Sequence, residues 1–333
     1  IQAAPGASRD AALRQSPRVP VNGPRLGGSI ALKGGRIDDL TMLDYKATID
    51  EGSPAVTLFS PQGAPQPYFG QFGWVPIGEL KVPDSDTVWQ ADHPSVQPAR
   101  PLTLSWDNGQ GVRFIQVVEI DDNFMMTVTQ RVENNSTQAI STHPYGRIAR
   151  THTPNTLGFY ILHEGPLAVF NETLKEVDYD DLQEGPADAT KSTGGWIGIT
   201  DKYWLAALIP DQKQPYTGTF RYSKPNKQDT YQADFMTQAP QLIAPGATAQ
   251  TVSHVFVGAK EVTLLDRYEE QLGIARFDLA VDFGWFYFLT KPIFYLLIYL
   301  NSQVGNFGIA ILLLTVGIKL AFFPLANKSY KSM

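Results

Sequence analysis

Thr315 and Lys319 stand four residues apart in the apolar run Phe307–Leu325 (FGIAILLLTVGIKLAFFPL), whose only charge is Lys319. At that spacing the two side chains share one face of a helix. An ammonium group in hydrocarbon is costly, so a charge placed there normally faces a polar cavity. One reading makes Lys319 and the Thr315 hydroxyl the lining of a hydrated, positively charged surface inside a membrane. The other lets Lys319 snorkel: it lies nine residues before Lys328, roughly 13 Å along a helix axis, and its stem reaches toward the headgroups.

Bond-making chemistry has weaker support. His93, His143, His152, His163 and His254 lack the close helical pairing of metal sites, and there is no Cys. Disulfides, thiolate zinc, iron–sulfur clusters and cysteine nucleophiles are thereby excluded. Neither a phosphate-binding Walker loop nor a G-x-S-x-G elbow occurs, and nothing implies a cofactor. Asp178, Asp180, Asp181 and Glu184 read as a solvated acidic loop.

The run that carries Lys319 is 19 residues long, twelve of them Leu, Ile, Val or Phe. As a helix it measures roughly 28 Å, about the thickness of a bilayer's hydrocarbon. Those twelve contribute roughly −4 to −7 kcal/mol toward insertion, against up to about +3 for one lysine. Transmembrane insertion is therefore expected over 305–325. Lys328 and Lys331 follow the span directly, which places the Met333 end, 326–333, in the cytoplasm and the bulk of the chain on the opposite face.

Ahead of the span, 283–304 is crowded with aromatics, including Trp285, Phe286, Tyr287, Tyr295 and Tyr299, and is interrupted by Pro292. Amphipathic rings favour the bilayer interface, so the segment reads as a helix lying on the membrane surface and kinked near Pro292. A buried helix of the preceding domain is the alternative. Within 259–282, Val262, Leu265, Tyr268 and Leu272 recur at helical spacing, and Gly273 is a natural stop.

From 29 to 258 the texture is all-β. Val112–Ile120, the turn Asp121-Asp122-Asn123 and Phe124–Val132 read as one hairpin; Trp196–Thr200 and Tyr203–Ile209 read as another. Further strands are expected at Gly158–Leu162, Thr217–Tyr222, Tyr231–Met236 and Thr251–Val257. Strands do not alternate with long helices, which favours a large antiparallel sandwich over a parallel sheet. Residues 1–28 hold few large apolar groups and read as a flexible linker. Ile1 rather than Met suggests that something preceding it was removed or omitted. With 27 basic and 33 acidic residues the formal charge of the 333-residue chain is −6, and clustered basic charge for nucleic acid is lacking.

Several motifs resemble one family. Val281-Asp282-Phe283-Gly284-Trp285, Thr290-Lys291-Pro292, Gly305-Asn306-Phe307-Gly308, Phe323-Pro324-Leu325 and the ending Ser329-Tyr330-Lys331-Ser332-Met333 are similar, in order and spacing, to YidC-type membrane protein insertases of Gram-negative bacteria. Gly195–Leu205 is similar to a segment of that family's periplasmic domain. The resemblance implies a mutarotase-like β-supersandwich in the periplasm, an interfacial amphipathic helix and the first of five core transmembrane helices in the inner membrane. It implies a hydrophilic groove, with Lys319 at its basic position and Thr315 one turn earlier. Many members carry Arg there; Lys keeps the charge but lacks the bidentate fork. The implied partners are nascent membrane proteins, the Sec translocon with its SecDF subunits, the ribosome through regions outside this chain, and lipids. The rival is a membrane-tethered periplasmic module that binds a carbohydrate or a protein partner.

Overall fold

The computed structural model describes residues 8–156, 162–185, 189–284 and 286–332. They fall into two units that divide after Val281.

In the first unit, antiparallel ladders build a ten-stranded and a nine-stranded sheet among the described residues. Strands Tyr68–Ile77, Ile140–Thr151, Thr230–Thr237 and Pro215–Ser223 lie side by side at the heart of the ten-stranded sheet. Ile140–Thr151 and Thr230–Thr237 alternate buried and less buried positions, as strands do when only one face meets the core. The nine-stranded sheet runs through Gly165–Phe170, Gly195–Thr200, Trp204–Ile209, Thr248–Ala259, Met125–Asn134 and Val112–Ile120 in that order. Rings and amides join the two layers. Trp74 meets Phe114 at 5.1 Å and Phe170 meets Phe220 at 6.4 Å between ring centroids. The buried Gln130 side chain donates to the Gly73 carbonyl at 2.6 Å.

Gly195–Thr200 and Trp204–Ile209 are buried almost throughout, which explains why they read as unbroken apolar runs. Their second face is covered by the helix Val262–Leu272 and the 3-10 turn Phe277–Ala280. Phe277 packs edge-on against Trp196 and Phe256, at 5.6 Å from each. The helix buries Val262, Leu264, Leu265 and Tyr268, whereas Leu272 is exposed, and Gly273 ends it at φ +65°.

The hairpin Val112–Ile120/Met125–Asn134 forms with Ile120 opposite Met126. The Asp121 carboxylate accepts from the amides of Asn123 and Met125, which is why Asp-Asp-Asn turns the chain there. Gly195–Thr200 and Trp204–Ile209 form the second hairpin. The strand expected at Gly158–Leu162 falls largely outside the described residues.

The linker reading of residues 1–28 is overturned over 8–28. Arg9–Leu13 is helical, Arg18–Asn22 is an edge strand, and Leu26–Ala31 pairs with it. Val19, Val21 and Leu26 are buried, while Pro20 points outward on an edge where its missing N–H costs nothing. Arg9 and Arg18 add ion pairs to Asp39 and Asp38. The sheets thus run from Arg18 to Ala259.

The second unit holds two helices, Tyr287–Val304 and Phe307–Ser332; the latter continues through the segment expected as a tail. Gly305 closes the first helix in the left-handed region at φ +67°, its N–H bonding Asn301 at 2.8 Å. Asn306 then caps the second, its side-chain oxygen accepting from Gly308 at 2.8 Å and Ile309 at 3.2 Å.

Candidate functional site

Thr315 and Lys319 sit one turn apart on Phe307–Ser332, both exposed. The Thr315 hydroxyl donates to the Ile311 carbonyl at 2.8 Å. That bond leaves its oxygen lone pairs facing outward, so it can accept from a guest but not donate. Around the pair, Leu312 is 67% exposed and Leu320 68%. Phe307–Pro324 is the one segment among the described residues long and apolar enough to cross a membrane, and only 6% of it is buried. A core helix of a soluble domain would hide these side chains; this one displays them.

On Tyr287–Val304, Tyr287, Lys291, Tyr295 and Tyr299 follow at intervals of four and so share one side. The Lys291 ammonium bonds the Tyr287 hydroxyl at 2.9 Å and lies 5.2 Å and 6.0 Å from the ring centroids of Tyr287 and Tyr295. Thr290 bonds the carbonyls of Phe283 and Phe286, tying the helix start to the segment before it. Phe286 is 63% and Tyr299 60% exposed, Pro292 is exposed within the helix, and none of the helix is fully buried. Trp285 lies outside the described residues. The structure therefore sets Tyr287 and Tyr295 beside Lys291, which the sequence analysis named only within the Thr290-Lys291-Pro292 motif, although its i±4 relation to two tyrosines was there to be read.

Among the described residues no three histidines or carboxylates gather where they could hold a metal ion. His143 pairs with the Thr237 carbonyl at 2.9 Å, His163 approaches Asp178 at 3.5 Å, and His254 bonds Thr127 at 3.0 Å. Asp178, Asp180 and Asp181 occupy the N-terminal turn of the helix Tyr179–Glu184, where carboxylates complement the helix dipole. Asp180 and Asp181 are thus helical rather than in a loop, with Asp178 the extended residue just before them. Sequence reasoning missed a depression of about 360 Å³ on the ten-stranded sheet, lined by Tyr145, Arg147, Thr217, Thr219, Arg221 and Asp234 among others.

A two-sheet β unit and an exposed apolar segment, Phe307–Pro324, with a single charge define the class: a large β domain attached to a candidate membrane span. The YidC periplasmic domain model matches residues 18–296, and the chain belongs to that family. It is 46% identical to the membrane protein insertase YidC of Methylobacterium radiotolerans, over 98% of this chain and 54% of the relative. It is 45% identical to that of Granulibacter bethesdensis (97% and 58%) and 44% to that of Rickettsia bellii (96% and 57%). The chain spans about half the length of these relatives. Each of these relatives is named a membrane protein insertase.

Among solved structures, a galactose mutarotase related enzyme from Lactobacillus acidophilus aligns with TM-score 0.49 and 8% identity, over 72% of this chain and 97% of that one. A galactose mutarotase-like protein from Lactobacillus casei gives TM-score 0.48 and 10% identity, over 72% and 100%. At these scores the likeness is loose, and the sandwich stands on its own strand order.

Proposed function

We propose that this chain is part of an inner-membrane insertase that guides nascent membrane proteins into the bilayer. Phe307–Pro324 crosses the membrane, the β unit lies in the periplasm, and the chain beyond the span enters the cytoplasm. Tyr287–Val304 rests at the interface through Phe286, Tyr287, Lys291, Tyr295 and Tyr299, together with Trp285. Lys319 and Thr315 form one wall of a hydrated groove. Its work is to lower the cost of bringing a polar segment into hydrocarbon: Lys319 attracts acidic stretches and Thr315 accepts a hydrogen bond. The Sec translocon with its SecDF subunits is a further partner, and the ribosome is one through regions outside this chain. One observation carries the reading: an apolar helical segment, Phe307–Pro324, almost wholly unburied, with one charge and a hydroxyl on a single face.

The test is site-specific photocrosslinking in the intact parent protein, with ribosomes stalled while making a short membrane protein. Probes at Thr315 and Lys319 should capture the nascent chain, and one at Leu313 should not. Capture of lipid alone at both positions would make the helix an anchor with a snorkelling lysine.

A further inference from the structure

The depression on the ten-stranded sheet is made by four neighbouring strands, and their register places its groups. Tyr145 stands opposite Gly73 on one side and Met236 on the other, and Met236 stands opposite Thr217. One row along, Arg147 stands between Gln71 and Asp234, and Asp234 stands opposite Thr219. Strand spacing and the two-residue repeat set these groups on a grid of roughly 5 by 7 Å. Gly73 is required: a Cβ there would come within 2.7 Å of the Tyr145 hydroxyl, because the tyrosine ring lies over the glycine.

Arg147 is fixed in place without being neutralised. Its Nε and Nη2 donate to the Gln71 Oε1 at 3.0 and 2.6 Å, and Gln71 is itself held by the Gly34 carbonyl at 2.8 Å. Arg147 has no ion pair among the described residues. The lining carboxylate, Asp234, uses one oxygen for both Arg221 (3.0 Å) and Gln232 (2.9 Å). Two arginines against one aspartate leave a surplus of one positive charge. Among the described residues the hydroxyls of Tyr145, Thr217 and Thr219, the Asp234 Oδ1 and the Arg147 Nη1 have no hydrogen-bond partner. An anchored cation therefore stands beside hydroxyls that both donate and accept, with the apolar Val75 and Met236 at their side.

The geometry points to a binding site for an acidic sugar, a uronate or the uronate unit of a glycan. Its carboxylate meets Arg147, its ring hydroxyls exchange hydrogen bonds with Tyr145, Thr217, Thr219 and Asp234 Oδ1, and its C–H face rests on Val75 and Met236. An acidic peptide fits less well. Among the described residues the strands that carry Tyr145, Arg147 and Asp234 are paired on both sides at these positions and offer no free edge there for a peptide backbone. A second carboxylate would meet Asp234, and the hydroxyls would be left without partners.

The experiment is a calorimetric titration of the full chain in detergent micelles with D-glucuronate, D-glucose and an N-acetylated Glu-Glu peptide. Glucuronate should saturate with a Kd on the order of millimolar, and glucose should bind about tenfold more weakly. Arg147→Gln should weaken glucuronate about tenfold, and Thr217→Val, of matching shape, about threefold. If Arg147→Gln lowers the melting temperature, Thr217→Val and Tyr145→Phe decide instead. The proposal is overturned by any of four results: no saturable glucuronate binding, equal binding of glucose, a peptide that competes as strongly, or folded variants that bind unchanged.

Discussion

Arg25 and Glu261, 236 residues apart in sequence, are joined through both Nη atoms of the guanidinium and both carboxylate oxygens. Asp44 takes the Arg25 Nε, and Tyr45 donates its hydroxyl to Glu261 at 2.5 Å. The guanidinium lies 4.3 Å over the Phe124 ring. Glu261 is also the residue on which the helix Val262–Leu272 begins, so this knot fastens the N-terminal strands to the helix that covers the second sheet.

The knot makes stability depend on acid. Burial raises the Glu261 carboxyl, but hydrogen bonds from Arg25 and Tyr45 and the arginine's charge outweigh it, holding the group below its ordinary 4.5. A depressed carboxyl contributes stability above its unfolded value and loses it as pH falls through the folded one. The β unit should therefore lose stability as pH drops below about 4.5. Glu261→Gln should cost about 1–2 kcal/mol at neutral pH and flatten that acid limb. Melting curves of both proteins between neutral pH and acid test this; parallel limbs would show that the knot does not carry the dependence.

At the alkaline end the Tyr45 hydroxyl is pushed up to about 12 by burial and by its bond to Glu261. A raised group gives its full stability below the unfolded value of 10.0 and loses it as pH climbs toward 12. Tyr45→Phe should lower the melting temperature at neutral pH and show a smaller further drop across that window. An unchanged slope would place the alkaline loss elsewhere.

Residues 18–22 give a sharp contrast between strand and linker. Val21→Asp would bury an unpaired carboxylate at a position only 2% exposed and should destabilise the unit by several kcal/mol. Pro20→Ser, on the outward face, should be nearly neutral. Denaturant melts of the two variants suffice; equal stability would restore the linker.

Phe277 is fully buried between Trp196 and Phe256. Phe277→Ala should cost about 3–5 kcal/mol, enough to loosen the helical cover from the nine-stranded sheet. Hydrogen exchange at the amides of Gly195–Thr200 would register it, and unchanged protection there would mean that the cover contributes little.

Lys319→Glu in the parent protein should reduce insertion of a substrate with an acidic N-terminal segment about tenfold or more, while Lys319→Arg should preserve it. A reporter of N-terminal translocation reads the difference. Equal insertion by the Glu variant would remove charge attraction from the mechanism.

What was legible followed from how locally each element is encoded. The hairpin at Asp121 declares itself by a turn whose carboxylate binds its own backbone, and the apolar helix by an unbroken run. Leu26–Ala31 (LGGSIA) is hard to see because its glycines and serine carry little hydrophobic signal, and Arg18–Asn22 because Pro20 interrupts it. The sugar-sized depression was illegible for a different reason. Tyr145, Thr217 and Asp234 come from three strands, and only the pairing register makes them neighbours.

The joint at Gly305 and Asn306 has a further effect. One residue ends a helix and the next begins another, so no slack separates them. A residue inserted within the helix, between the Asn306 cap and Thr315, would turn everything downstream by about 100° about the helix axis. Lys319 and Thr315 would then swing together to a different azimuth while the run stayed equally apolar. The joint thus acts as an angular index: it fixes where the lysine points independently of whether the helix enters a membrane at all.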